Sequence, residues 1–165
     1  MGVVVESGET TGLEEDAKAL HDALSELVRV YQFRDRDRIC CYDISVTQCY
    51  ALEAVILHAP LTLNELAAHL FLDKSTVSRV VDALERKGYL ARSEHAEDRR
   101  ALRLEATEAG RTLHARIEED ILAGERALLA GFDPEVRQSM ARLIGDLARA
   151  AAARVDSSGG ICCSV

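Results

Sequence analysis

NELAAHLFLDKSTVSRVVDALERKGYL, residues 64–90, contains two helical patterns separated by a short polar break. Apolar residues recur at three- and four-residue spacing on both sides of the break, which is the period of an amphipathic helix. We therefore predict helices at about 63–70 and 74–87, the second ended by Gly88. The small side chain of Ala67 permits the close crossing that a helix-turn-helix pair requires.

The period changes after this pair from helical to alternating. Residues 89–93 and 101–105 predict two short strands, and the charged segment 94–100 joins them as a hairpin. A helix pair followed by a charged hairpin is the order of elements in a winged helix-turn-helix. The sequence thus predicts a mainly α protein with a two-stranded β wing.

Helical patterns also flank this unit on both sides. Capping-box patterns start two helices, with Ser45 before Gln48 and Thr62 before Glu65. The remaining predicted helices cover residues 13–37, about 46–59, 107–130 and 134–155. We expect one domain over 13–155, with flexible ends at 1–12 and 156–165.

The composition is that of a globular protein with a core of its own. The chain has 165 residues, 48% of them hydrophobic and 29% charged, which suits a single domain. Apolar runs fall short of the roughly 20 residues that span a bilayer, and the start lacks the pattern of a secretory signal. The sequence predicts a cytoplasmic location and no association with membranes.

Charge is distributed unevenly along the chain. The net charge is -8, which by itself disfavours a nucleic-acid partner. Between residues 73 and 103, however, eight basic residues face six acidic ones. A locally basic surface on an acidic body is compatible with binding a polyanion.

The candidate DNA-binding residues lie on the second helix of the pair and on the hairpin. The N-terminal end of a recognition helix enters the major groove, where hydroxyls and cations contact phosphates or bases. Basic residues at a wing turn contact the minor groove or the backbone. An alternative for the hydroxyl residues is simple capping of the helix start. The candidates are Lys74, Ser75, Thr76, Ser78, Arg79, Asp98, Arg99 and Arg100.

The helix pair, the wing element EDRRALRLEATEAG at residues 97–110 and the long flanking helices together resemble the MarR (multiple antibiotic resistance regulator) family of transcription factors. The resemblance covers about residues 13–155. It implies a homodimer held by helices at about 13–38 and 107–155, with a winged helix at about 44–105. It also implies binding to double-stranded, pseudo-palindromic operator DNA, repression until an effector binds, and no enzymatic activity. The wing departs from the family pattern because it lacks a second Asp-Arg ahead of Asp98.

Five cysteines are a further unusual feature of the sequence. Three of them lie at or near the junction of the first two helices, where they are close enough to converge, and two lie in the tail. They are Cys40, Cys41, Cys49, Cys162 and Cys163. Three thiolates suit As(III), Sb(III) or another thiophilic metal ion, and His21 or His58 is available as a fourth ligand. The sequence thus predicts a thiol-based effector site, with no cofactor required.

Other interpretations stay open at this point. The thiols also fit an oxidation sensor that forms a disulfide, and a buried cysteine is often only a small apolar residue. In the first interpretation the effector is an oxidant, and in the second it is a small aromatic ligand. A thiol oxidoreductase is disfavoured because the chain has no Cys-x-x-Cys, and a winged helix used only for protein contact predicts no salt-dependent DNA affinity.

Overall fold

The computed structural model describes residues 8–94 and 102–157. Within them the chain forms six α-helices, one short 3-10 helix and three β-strands. In chain order these are α1 (Gly8–Ile39), the 3-10 helix (Cys40–Tyr42), α2 (Val46–His58), β1 (Leu61–Thr62), α3 (Leu63–Leu70), α4 (Lys74–Arg86), β2 (Leu90–Glu94), β3 (Leu102–Ala106), α5 (Glu108–Leu129) and α6 (Pro134–Ser157).

The helix starts follow the capping residues that the sequence indicated. The Ser45 hydroxyl accepts the Gln48 amide at 3.2 Å, and the Gln48 side chain accepts the Ser45 amide at 3.1 Å. Thr62 and Glu65 form the same reciprocal pair at the start of α3. Each box satisfies backbone donors that the first turn leaves without an intrahelical partner. Both predicted capping boxes are confirmed.

The sheet has one strand more than the predicted hairpin. Its order is β1-β3-β2, all antiparallel, with Leu61 opposite Leu104 and Ser93 opposite Arg103. The extra strand β1 is only two residues long, so it is too short to produce an alternating pattern in the sequence. The wing strands begin one residue later than predicted, at Leu90 and Leu102.

The core lies where α2, α3 and α4 pack against one another and against the sheet. Its largest side chains are almost inaccessible to solvent, and they come from all of these elements and from α5. Among them are Leu52, Val55, Leu66, Val77, Val81, Leu84, Leu104 and Ile117. The predicted winged helix-turn-helix is therefore confirmed, since α3 and α4 pack against each other and are followed by the antiparallel strands of the wing.

Residues up to Ile121 and residues from Leu122 onward form two compact units, and the boundary falls within α5. The first contains α1 and the winged helix, whereas the second contains the end of α5 and α6. α1 begins at Gly8, upstream of the predicted start at Leu13, and α6 extends to Ser157. Every helix within the described parts of the chain is too short or too polar to cross a lipid bilayer.

Candidate nucleic-acid interface

The helix α4 presents two chemically different faces. Val77, Val81 and Leu84 are fully buried in the core. The opposite side carries the predicted recognition residues, of which Lys74, Ser75 and Arg79 are exposed and Thr76 and Ser78 are half-buried. All five predicted residues on α4 are thus accessible at the N-terminal half of the helix, the half that enters the major groove in helix-turn-helix proteins.

Asp73 caps α4 and engages two of these residues. Its carboxylate accepts the Thr76 amide at 2.9 Å, the Thr76 hydroxyl at 2.7 Å and the Ser75 hydroxyl at 2.5 Å. These hydrogen bonds, the one from Ser75 first, hold the pKa of Asp73 well below its usual range. Ser75 and Thr76 therefore serve the helix start, as the capping alternative supposed, and their hydroxyl oxygens remain able to accept a hydrogen bond.

Arg79 lies one turn further along the same face. Its Nε donates to the Ser75 carbonyl at 3.3 Å. That bond uses one of the five N–H donors of the guanidinium group. The others suit a phosphate or the major-groove edge of guanine.

Arg92 on β2 links the wing to α4. Its Nη2 lies 2.5 Å from the Asp82 carboxylate and its Nη1 lies 2.9 Å from that of Glu85. The Arg92 side chain is 27% exposed, so solvent screens this pair of contacts only in part. The link fixes the first wing strand to the recognition helix and offsets the two acidic charges on that helix.

Sequence reasoning missed this role of Arg92. A signal was present, because Asp82 and Glu85 are three residues apart on one helical face and the strand with Arg92 follows after a short turn. The pairing itself depends on the angle between strand and helix. Side-chain spacing along the sequence does not specify that angle.

The predicted wing-tip residues Asp98, Arg99 and Arg100 lie outside the described residues. The described wing strands place Arg103 of β3 opposite Ser93 of β2 and Thr62 of β1. β3 is therefore the central strand of the sheet, and it begins at Leu102.

The described residues include only part of the predicted thiol site. Cys41 is exposed, with its Sγ 3.8 Å from the Asp37 carbonyl, whereas Cys49 is buried in the core of the winged helix. Cys40 belongs to the 3-10 helix. Cys162 and Cys163 lie outside the described residues. Among the side chains the structure describes, no three His, Cys, Asp or Glu groups are arranged to hold a metal ion.

The 3-10 helix is anchored to α5 beside these thiols. The Tyr42 hydroxyl donates to the Asp120 carboxylate, and Arg38 donates to the Asp120 carbonyl. The hydrogen bond to Asp120 is the main reason that the pKa of Tyr42 is raised. Arg116 lies over the Tyr42 ring, 5.5 Å from its centroid. A change at the thiols therefore occurs next to a contact between the first helices and α5.

Comparison with known proteins agrees with this architecture. Residues 42–101 match the model of the MarR family. The HTH-type transcriptional repressor MdtR of Bacillus subtilis is 29% identical over 89 residues, which cover 54% of this chain and 55% of that protein. The HTH-type transcriptional regulator SarZ of Staphylococcus saprophyticus is 28% identical over 99 residues, which cover 60% of this chain and 65% of that protein. The chain thus spans about half to two thirds of the length of these curated relatives.

Solved structures share the fold over most of the chain. A MarR family protein from Bacillus stearothermophilus superposes with a TM-score of 0.77 at 24% identity, covering 84% of this chain and 96% of that one. FabT of Streptococcus pneumoniae, solved in complex with DNA, superposes with a TM-score of 0.71 at 20% identity. This match covers 81% of this chain and 95% of the FabT chain. At these identities the likeness concerns the fold alone, and that fold is a winged helix-turn-helix. Together with the family-model match over residues 42–101, this shared fold makes the chain similar to the MarR family.

Proposed function

We propose that this protein is a DNA-binding transcriptional regulator that represses its target genes. The observation that carries the proposal is the outward face of α4, where Lys74 and Arg79 stand beside the capped helix start. Arg92 offsets the acidic charges of Asp82 and Glu85 on the same helix. The helix is therefore left with a cationic end suited to phosphates and base edges.

Similarity to the MarR family supports the same assignment. The relatives include a protein named as a transcriptional repressor, and one of the similar folds was solved in complex with DNA. A winged helix used only for protein contact gives no reason for cationic residues at the α4 start. An enzymatic role finds no support in the described residues, and we propose none.

We further propose that the working form is a homodimer. The helix α1 exposes large apolar side chains along its length, which a soluble helix buries against a partner. Those exposed by 40% or more are Leu13, Leu20, Leu27, Val28, Val30 and Phe33. In α6, Val136, Leu143 and Ile144 are also exposed. A second copy of the chain would cover such faces and would set the spacing between two recognition helices.

The test is fluorescence anisotropy with duplex DNA from the region upstream of the protein's own coding sequence. Arg79→Ala should weaken binding by about fivefold to 150-fold, since one good contact is worth roughly 1–3 kcal/mol. The matched control is Arg142→Ala, which removes an exposed arginine from α6. Wild-type affinity should fall steeply with salt. A salt-independent signal, or equal losses in both variants, would overturn the proposal.

We propose that thiols at the junction of α1 and α2 sense the effector, and we favour a trivalent metalloid or a soft metal ion as that effector. Cys41 is accessible there, and the adjacent Tyr42 is tied to α5, so modification would act on a helix junction. Cys49 is buried, so its thiol can bind the effector only if the junction of α1 and α2 opens. An effector that favours a different spacing of the two DNA-reading helices would lower operator affinity by population shift.

Stoichiometric arsenite should release the operator, and excess dithiol should restore binding. Cys41→Ser and Cys40→Ser should keep DNA affinity but lose this response, with Cys49→Ser as the buried comparison. Release by peroxide but not by arsenite would replace the metalloid with an oxidant. Normal release by arsenite in all three variants would mean that these thiols are not the sensor. A wild-type protein that neither arsenite nor peroxide releases would point to a small organic ligand instead.

A further inference from the structure

Two histidines from different helices meet at one edge of the winged helix. His58 is the last residue of α2 and His69 lies in the last turn of α3. Their rings stack with centroids 4.5 Å apart and planes 10° from parallel. Both side chains are exposed, so core packing does not account for their meeting.

The two rings line a shallow cavity of about 380 Å³. Its wall also includes the carboxylate-bearing side chain of Glu53 and the phenol of Tyr50, and exposed Phe71 forms part of it. The cavity therefore brings two imidazoles and an oxygen donor to one solvent-accessible concavity. Phe71 follows α3 directly in the left-handed conformation, with φ 52°, and thus places this wall beside the turn that leads to α4.

We propose that His58 and His69 form a binding site for a divalent late transition-metal ion such as Ni²⁺, Cu²⁺ or Zn²⁺. Neutral imidazole is the side chain that these ions share as a ligand. The two rings already lie face to face with centroids 4.5 Å apart, and rotation of these exposed side chains can bring one nitrogen of each ring to the same ion. Water molecules complete the coordination of the ion in this open cavity.

This site is separate from the thiols, and it requires no DNA. The sequence offered His58 as an additional ligand for the cysteines, whereas the fold brings it to His69. An ion held by both rings joins the end of α2 to the end of α3, the first helix of the helix-turn-helix. Binding that requires the folded arrangement raises the stability of the native state by mass action.

Nickel is the suitable probe because the thiolates of this chain compete more strongly for softer ions. We expect one Ni²⁺ per chain by equilibrium dialysis of the full-length protein at neutral pH. The paramagnetic ion should broaden the ring resonances of His58 and His69 together, at lower Ni²⁺ concentration than those of His21 and His114. It should also raise the Tm.

The variants His58→Gln and His69→Gln each remove one ligand and should each lower Ni²⁺ affinity by at least about tenfold. His114→Gln, which changes a half-buried histidine on α5, should leave the affinity unchanged. Circular dichroism of each variant confirms that the fold is kept. The proposal is wrong if His58→Gln and His69→Gln bind as the wild type does, or if His114→Gln costs as much as they do. None of these measurements involves an operator, so they stand apart from the proposed regulatory function.

Discussion

Arg92 of β2 and Asp82 of α4 form an ion pair at 2.5 Å, which Glu85 extends on the same helix at 2.9 Å. The pair joins the strand that leads to the wing tip with the helix that carries Lys74 and Arg79. Arg92 therefore adds a polar link to the core packing of Leu90 that already joins this strand to α4. Arg92 is thus expected to influence how the two candidate DNA-binding elements are presented together.

Arg92→Ala should lower operator affinity more than it lowers stability. Exposed ion pairs contribute roughly 0.2–1 kcal/mol each, so we expect the free energy of unfolding to fall by about 1 kcal/mol in urea titrations. Operator affinity should fall by about tenfold because the wing loses its fixed position. The control is Arg149→Ala, whose arginine pairs with Asp146 on the exposed surface of α6. Equal operator affinities for the two variants would contradict this role of Arg92.

Gly110 at the start of α5 should not tolerate a side chain. A Cβ there would lie 2.2 Å from the Tyr89 carbonyl oxygen and 3.2 Å from Leu52 Cδ1. The same carbonyl accepts the Thr107 amide at 3.1 Å, so it cannot move away without breaking that bond. Gly110→Ala should lower the free energy of unfolding by about 2–3 kcal/mol, as overpacking of a core does.

Gly12→Ala is the matched control for this substitution. Gly12 is in α1, and a Cβ there meets nothing within 4 Å. Alanine is the better helix former by up to about 1 kcal/mol, so this variant should be equal to or more stable than the wild type. Urea unfolding of both variants measures whether the free energy of unfolding falls in Gly110→Ala and stays equal or rises in Gly12→Ala. Similar losses in both would show that the Tyr89 contact is not the cause.

The sequence predicted α3 to the residue and α4 to within one, because strong local signals mark their ends. Thr62 with Glu65, Asp73 and Gly88 all act within one helical turn of the boundary they set. The two-residue strand β1 was missed, since its pairing with β3 connects residues some forty positions apart. Local patterns do not encode such a pairing.

The candidate site likewise contains features that local sequence patterns predict and contacts between distant elements that they do not. The α4 residues were predictable because their positions follow from helical period and polarity. The ion pairs of Arg92, the anchor between Tyr42 and Asp120 and the stack of His58 on His69 were not, since each joins different elements. For the cysteines, proximity along the chain suggested convergence, but burial separates exposed Cys41 from Cys49.

Acid should weaken α4 through its cap. The pKa of Asp73 is depressed by hydrogen bonds from Ser75 and Thr76, so its charged form contributes stability. This contribution is fully present above the unfolded-state pKa of about 3.9 and is lost as the pH falls below that value toward the folded-state pKa. Asp73→Asn keeps a capping oxygen but does not titrate.

The difference in unfolding free energy between wild type and Asp73→Asn should therefore be constant from pH 7 to about 5. It should shrink below pH 4, as the carboxylate becomes protonated in the unfolded chain and then in the folded chain. Urea titrations of both proteins at pH 7, 5, 4 and 3 measure it. A difference that stays constant down to pH 3 would mean that the cap does not depress the pKa of Asp73.

The last prediction concerns the unequal reactivity of two thiols only eight residues apart. Cys41 is exposed in the middle of the 3-10 helix, whereas Cys49 is 4% exposed among the core side chains of the winged helix. Iodoacetamide should therefore modify Cys41 in the native protein and Cys49 only after unfolding in urea, since alkylation requires an accessible thiolate. Residues 39–73 contain no Lys or Arg, so fragment-ion spectra of the tryptic peptide must distinguish the sites, and Cys41→Ser and Cys49→Ser verify the assignment. Equal native rates would show that α2 opens readily at Cys49, which would bring that thiol within reach of an effector held at the junction.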